Sequence, residues 1–290
     1  MAAVLEVVHS GLLSTVQDLG RPGYAEIGVT ESGAADRASL RLANRLVGNS
    51  DGAAAIEVTF GGFAARASAD ITIAVTGAPC PVHVDRQNAP FGAPVQVPAG
   101  TEFRLGWPVS GLRAYVAVHG GIAVEPVLGS RATDLLSALG PDPLRCGMVL
   151  PLGAAAARPW TPRCSPLAVP PPDELTLRVI PGPRDDWFTE SAMRTLLAES
   201  YVVTSESNRI GIRLDGPALS RARDGDLVSE GMVTGALQVP PSGKPTLFLA
   251  DHPVTGAYPV IAVVVTEDVD TAAQARPGMR MRFTLAEAQT

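Results

Sequence analysis

Short runs in which apolar residues alternate with other types recur along the chain. In the first half they are Ile71–Val75, Val82–Val84, Val95–Val97, Phe103–Leu105 and Tyr115–Val118; in the second, Leu175–Ile180, Leu247–Leu249, Val260–Val265 and Met279–Phe283. Alternation at a period of two buries one face of a strand, and Gly, Pro, Asn and Asp between the runs supply turns. The pattern predicts a mainly β protein, a barrel or sandwich of short strands. Two segments depart from it. Between Asp36, a capping residue, and Gly48, a stop signal, Leu42, Ala43, Leu46 and Val47 form an apolar face at helical spacing, while Arg37, Arg41 and Arg45 line another. A second helix is predicted over Glu190 to Ala198, capped by Thr189 and burying Ala192, Met193, Leu196 and Leu197.

From Gly153 to Pro172 there is no period and many backbone breakers. A length of 290 residues exceeds what one ordinary core holds. Together these predict an N-terminal domain over 1–160, a Pro-rich linker over 161–172 and a C-terminal domain over 173–290. The 29 Gly and 26 Pro residues are too many for a helical bundle and suit frequent tight turns.

A formal charge of -6, without any cluster of Lys and Arg, argues against nucleic acid as a partner. Apolar runs such as Val260–Val265 fall far short of the roughly 20 residues a membrane span needs. With no signal-like N-terminus, the expectation is a soluble, cytoplasmic protein. Cys80, Cys146 and Cys164 are widely spaced, and His9, His83, His119 and His252 are scattered, so neither a disulfide framework nor a metal site is predicted.

Polar groups concentrate in a few loops. The segment Gln17-Asp18-Leu19-Gly20-Arg21 places an amide, a carboxylate and a guanidinium within five residues. They either present hydrogen bonds to a ligand or pair Asp18 with Arg21 across a tight turn. Ser32-Gly33-Ala34-Ala35-Asp36 leads into the first helix, where Asp36 serves as its cap or the loop receives an anion. Asn44 and Glu57 are polar among apolar neighbours, which makes them core hydrogen-bonders or site walls. In the second half, Arg209, Ser229-Glu230-Gly231, Gln238 through Pro245 and Asp251 through Pro259 lie on rigid loops flanking Leu247–Leu249. Lys244 is the only lysine among 23 Lys and Arg residues; it is either a needed ammonium or an exposed turn residue.

Three absences narrow the chemistry. Lys244 lies between Gly243 and Pro245 rather than between methionines, so this chain carries no covalent biotin. It contains neither a Walker-type phosphate loop nor a nucleophile elbow.

Taken together, these loops resemble one family closely, over Gly11 to about Phe283. It is the family variously called allophanate hydrolase subunit 2, the C subunit of 5-oxoprolinase, KipA, or biotin-dependent carboxyltransferase. The most specific parts are Gln17–Arg21, Ser32–Asp36, Asn44–Gly48, Glu57 with Gly61-Gly62, Pro181-Gly182-Pro183, Ser229–Gly231 and Gln238–Pro259. The resemblance implies two cyclophilin-like β-barrel domains with a few short helices. It also implies an enzyme that works as one subunit of an ATP-dependent hydrolase complex on a small amide or lactam, first of all 5-oxoproline opening to glutamate. The isolated chain is then expected to be inactive. Implied partners are a KipI-like protein, the B-type subunit of such a complex, and a third subunit, with ATP used by the complex. Two other readings stay open: a carboxyltransferase half-site fed by carboxybiotin from another chain, as in urea carboxylase, and a KipA-type regulatory module that binds a KipI-like partner.

Carried over at matching positions, the implied catalytic residues are Asp18, Arg21, Arg209, Lys244 and Asp251. The implied substrate-binding residues are Gln17, Ser32, Asp36, Asn44, Glu57, Glu230, Gln238, Thr255 and Tyr258. In this reading Arg209 or Lys244 stabilises an oxyanion and Asp251 or Asp18 moves protons. Two positions depart from the family: Ala35 stands where Met is usual, and Gly256-Ala257 where two glycines precede the tyrosine.

Overall fold

The computed structural model describes residues 3–154, 173–223 and 225–287, so the expected linker over 161–172 lies outside the described residues. The chain divides into two compact units. Among the described residues the first comprises 3–21, 32–134 and 138–154, and the second comprises 22–31, 135–137 and those from 173 onward.

The first unit is built from two antiparallel sheets. One runs, in spatial order, Val149–Pro151, Val4–Ser10, Phe63–Ala67, Glu102–Leu105, Val82–Val84, Gln87–Ala89; the other runs Leu13–Gln17, Ala55–Thr59, Arg113–Val118, Ile71–Gly77, Pro94–Val97. Period-two burial is plain in Glu102–Leu105, where Phe103 and Leu105 face the core and Arg104 faces solvent. Leu5, Val7, Ile56, Phe63, Ile73 and Val116 from both sheets meet in one core. Arg113–Val118 is buried at every position. Its two faces explain this: Ala114, Val116 and Val118 join the main core, while Tyr115 and Ala117 pack under the first helix.

That helix, α1, spans Arg37–Leu46. Asp36 caps it, accepting from Ser39 N at 2.8 Å, and Gly48 follows it in the left-handed region at φ 75°. Leu40, Ala43, Asn44 and Leu46 are its buried positions, whereas Leu42, expected inside, is only partly buried. The apolar face is thus rotated toward Leu40 and takes in a polar Asn44.

In the second unit seven strands close into a barrel: Glu174–Pro181, Val260–Val264, Ala236–Gln238, Thr246–Phe248, Gly211–Asp215, Tyr201–Val203, Arg280–Leu285. The ring closes where Glu174–Pro181 runs parallel to Arg280–Leu285. Closure pairs the strand edges with one another and fills the interior with Leu177, Val179, Leu237, Leu247, Ile261 and Phe283. Helix α2 spans Glu190–Ala198 and is capped by Thr189, as the sequence predicts. A third helix, α3, over Thr266–Ala272, is additional. It follows the strand Val260–Val264 through Val265 with no Gly or Pro between and no side-chain cap, so only acidic Glu267 and Asp268 in its first turn mark the boundary. A two-stranded ribbon, Glu230–Gly231 with Thr255–Gly256, stands apart from the barrel. The mainly β, two-unit architecture is the one the resemblance implied. Among the described residues, no helix is long and apolar enough to cross a membrane.

Candidate functional site

In the first unit the implied residues are organised by the strand Leu13–Gln17 and the loops after it. Asp18 accepts from Gly20 N at 2.8 Å, Ser130 Oγ at 2.6 Å and Arg131 N at 2.6 Å. Arg21 donates to the Ala132 and Val127 carbonyls and faces Asp134 at 3.9 Å. Asp18 and Arg21 therefore take different partners, and both brace the segment 127–134. Gln17 Nε2 donates to Thr133 O at 2.9 Å and Thr15 Oγ1 at 3.0 Å, while its Oε1 is buried with no partner. Ser32 Oγ reaches the same Thr133 carbonyl at 3.4 Å. Gly33, at φ 90°, closes this loop. A Cβ there would lie 2.7 Å from Gly20 N, so only glycine lets residues 18–20 and 33 come together.

A second buried network holds the entrance to α1. Tyr115 donates its hydroxyl proton to Glu57 Oε2 at 2.8 Å and accepts from Asp36 N at 2.8 Å. The same Glu57 oxygen accepts from Ala35 N at 3.0 Å, and Arg113 Nε lies 3.6 Å from Oε1. Burial, then the negative charges of Glu57 and Asp36, push the Tyr115 phenol well above the ordinary tyrosine range. Asn44 donates to Ala53 O at 2.7 Å and accepts from Asn49, tying the turn after α1 back onto the helix. Asp36, Asn44 and Glu57 thus serve backbone groups of their own unit.

In the second unit, Arg209 and Asp251 form a two-pronged pair. Nε donates to Oδ2 and Nη2 to Oδ1, each at 2.9 Å, with side chains 1% and 0% exposed. Asp251 Oδ2 also accepts from Leu135 N at 3.2 Å, and Asp251 N donates to Arg209 O at 3.0 Å. Around the ribbon, Glu230 pairs with Gly256, Thr255 with Gly231, and Gln238 Nε2 donates to Tyr258 O at 3.1 Å. The structure therefore brings Glu230, Gln238, Thr255 and Tyr258 together. Arg184 grips the Glu230 carboxylate and holds it below the usual glutamate range. Lys244 is half exposed, at 48%, and pairs with Asp215, whose carboxyl it lowers.

A cavity of ≈ 450 Å³ opens in the second unit between residues 25–30, 136–137 and 252–255. Of the implied residues, only Thr255 lines it; Glu26, Thr30, Ser137 and His252 are its other polar walls. Sequence reasoning missed these four. Only His252 sat inside a stretch already singled out, and Ser137 arrives through a distant loop that no local pattern marks. Thr30 Oγ1 is buried with no hydrogen-bond partner. His252 stacks on Phe248, centroids 5.8 Å apart at 16°, and its Nδ1 lies 2.8 Å from the Pro253 carbonyl. A carbonyl only accepts, so Nδ1 carries the proton in this contact. Among the described residues no group of three or more His, Cys, Asp or Glu side chains is gathered as metal ligands.

These features define a β-barrel protein whose polar loops are braced by buried charge pairs beside a small, polar-walled cavity. Comparison with known proteins gives the family: residues 27–285 match the carboxyltransferase domain, subdomain A and B, and the chain belongs to that family. The chain is 35% identical over 286 residues to the C subunit of the 5-oxoprolinase of Escherichia coli (strain K12), covering 97% of this chain and 90% of that one. It is 32% identical over 306 residues to the urea amidolyase of Saccharomyces cerevisiae, covering 96% of this chain but 16% of that enzyme. Among solved structures, TTHA0988 superposes with a TM-score of 0.89 at 37% identity, over 98% of this chain and 55% of that one. The Kluyveromyces lactis urea amidolyase superposes with a TM-score of 0.93 at 29% identity, over 99% of this chain and 19% of that one. The chain therefore spans about half of one structural relative and about a fifth of the other.

Proposed function

We propose that this chain is the C-type subunit of a 5-oxoprolinase, an ATP-dependent complex that opens 5-oxoproline to glutamate in the cytoplasm. The supporting observation is the reach of the likeness. Identity to the Escherichia coli protein extends over 97% of this chain and 90% of that one, while the yeast urea amidolyase is matched over 16% of its length. In the reaction the ring C–N bond breaks; the hydroxyl of water joins the carbonyl carbon and a proton joins the nitrogen. With no Walker-type loop in this chain, ATP is handled by other subunits, a KipI-like B-type subunit and a third polypeptide.

Within the chain, Arg209 and Asp251 act by positioning. Their mutual hydrogen bonds and the Leu135 N contact hold residues 135–137 against the segment that begins at Asp251, and these are two walls of the cavity. Thr255, beside His252, contacts substrate there. The Gln17, Asp18, Arg21 and Ser32 cluster shapes the first unit's loops.

Co-purifying the chain with its partner subunits and measuring ATP hydrolysis against 5-oxoproline and urea tests the assignment. Turnover coupled to 5-oxoproline is expected; coupling to urea alone excludes it. The superposition on a urea amidolyase at a TM-score of 0.93 favours one second reading, a carboxyltransferase half-site using carboxybiotin from another chain. Inhibition of the assembled activity by avidin would select that reading.

A further inference from the structure

We propose that one end of the first unit is a docking face for an apolar, uncharged segment of another polypeptide, with Leu12, Trp107 and Val109 at its centre. That this polypeptide is a further subunit of the amide-processing complex rests on the assignment above; the face itself rests on four loops. They span residues 11–12, 60–62, 78–81 and 106–112, and each crosses from one sheet of the unit to the other. Strand register places all four at the same end. Ser10 lies opposite Phe63, Leu13 and Arg113 both lie opposite Thr59, Gly77 lies opposite Ala114, and Val82 lies opposite Leu105. Not one residue of these loops is charged, in a chain that is 18% charged.

Glycines let the loops interlock. A Cβ at Gly11 would run into the Gly61 carbonyl oxygen, and one at Gly61 into that of Gly106, and both residues hold a positive φ. Backbone hydrogen bonds join Gly62 N to Leu105 O at 3.1 Å, Phe60 N to Leu112 O at 2.9 Å and Val109 N to Pro79 O at 3.0 Å. On this platform the Trp107 indole lies against Gly62, where a Cβ would sit 3.8 Å from the ring. Leu12, Trp107 and Val109 are nonetheless 71%, 65% and 75% exposed. A single exposed apolar residue is common, but three on one pinned, uncharged end form a patch of the kind that marks protein interfaces, with tryptophan as the usual anchor. The backbone is already fixed, so docking has little left to order. Chemistry selects the occupant. A charged surface would be desolvated here against nothing of opposite sign, and an anionic lipid surface needs the Lys or Arg that these loops lack. The Escherichia coli relative is named a subunit, so other polypeptides accompany it, and in TTHA0988 the matched fold is 55% of a longer chain.

The test uses the full chain, alone and in the complex co-purified with its partner subunits. Hydrogen exchange is compared between the two over residues 11–13, 60–63 and 106–112, and protection in the complex is expected there. In titrations of the labelled chain with the partner subunits, Trp107→Gln should weaken assembly roughly thirtyfold or more, and Leu12→Ser or Val109→Ser several-fold. All three side chains face solvent, so the urea midpoints of the isolated variants should match wild type, which separates lost docking from lost folding. Unchanged exchange over these loops in the assembled complex, or Trp107→Gln assembling as tightly as wild type, would overturn the face. So would another occupant: a homodimer of the isolated chain, or its sedimentation with phosphatidylcholine vesicles, either one abolished by Trp107→Gln. A complex that turns over 5-oxoproline with these loops unprotected sinks this inference and leaves the subunit assignment standing; loops buried in a complex that turns over urea alone do the reverse.

Discussion

Asp251→Ala is the most telling single change. It removes both acceptors of the Arg209 fork, each at 2.9 Å, and the acceptor of Leu135 N at 3.2 Å. The guanidinium left behind is 1% exposed, so water cannot replace the lost partner. Breaking a buried pair from one side costs about 3–5 kcal/mol, because the remaining charge is desolvated and loses its counter-charge. Asp251→Asn keeps the shape and one acceptor and should cost less, about 1–3 kcal/mol. The double replacement Arg209→Met with Asp251→Leu removes both charges together and should recover most of the loss. Urea denaturation gives the totals, and hydrogen exchange over residues 209–214 and 246–251 gives the local opening. The Ala variant should speed exchange there by roughly two to four powers of ten. Exchange in Asp251→Ala indistinguishable from wild type, or a double variant no better than the single one, would refute the account of Asp251 as a brace.

Further outcomes at four sites follow from the same structure. Tyr115→Phe removes the hydroxyl that accepts from Asp36 N and donates to Glu57 and should destabilise the first unit by about 1–3 kcal/mol in denaturant titration. The Tyr115 pKa is raised on folding, so its contribution is fully present below the ordinary tyrosine value near 10 and is lost as pH rises toward the higher folded value; a wild-type stability profile flat above pH 10 would contradict this. Glu230 is lowered instead, so its pairing with Arg184 stabilises above the ordinary glutamate pKa and is lost as pH falls through the lower folded value; Glu230→Gln should flatten that acid limb for the ribbon, read by hydrogen exchange. Gly256→Ala would drive a methyl into Gln238 Nε2 and against Met232, so loss of the Gln238–Tyr258 contact and about 1–3 kcal/mol of stability are expected, and a neutral result would show that the ribbon moves aside. Iodoacetamide should label exposed Cys146 in the native protein and spare Cys80, whose thiol burial pushes up to about 12; equal labelling of the two would refute that difference.

Much of the fold was legible along the chain because its signals are local. Period-two alternation marked strands such as Glu102–Leu105, a short apolar run marked Val260–Val264, and Asp36, Gly48 and Thr189 marked helix ends, since capping and patterning act over a few residues. α3 was missed because no breaker separates it from the strand before it. The polar residues of the motifs stood out along the chain, and they lie on strands and a helix as well as on loops, but their partners could not be read there. Whether Asp18 met Arg21 or Ser130, and whether Asp251 faced substrate or Arg209, depended on contacts across 112 and 42 positions of sequence. The cavity was hidden for the same reason. Glu26, Ser137 and His252 carry no shared pattern, and they become one wall only because distant loops pack within the second unit. Hydrophobic periodicity by itself determined that this chain folds as short strands around apolar interiors, whereas tertiary packing decided which polar groups brace the protein and which remain to meet a ligand. The physical reason is range: strand and cap preferences are written in neighbouring residues, while a buried polar group takes its partner from whatever the folded chain brings within hydrogen-bonding distance.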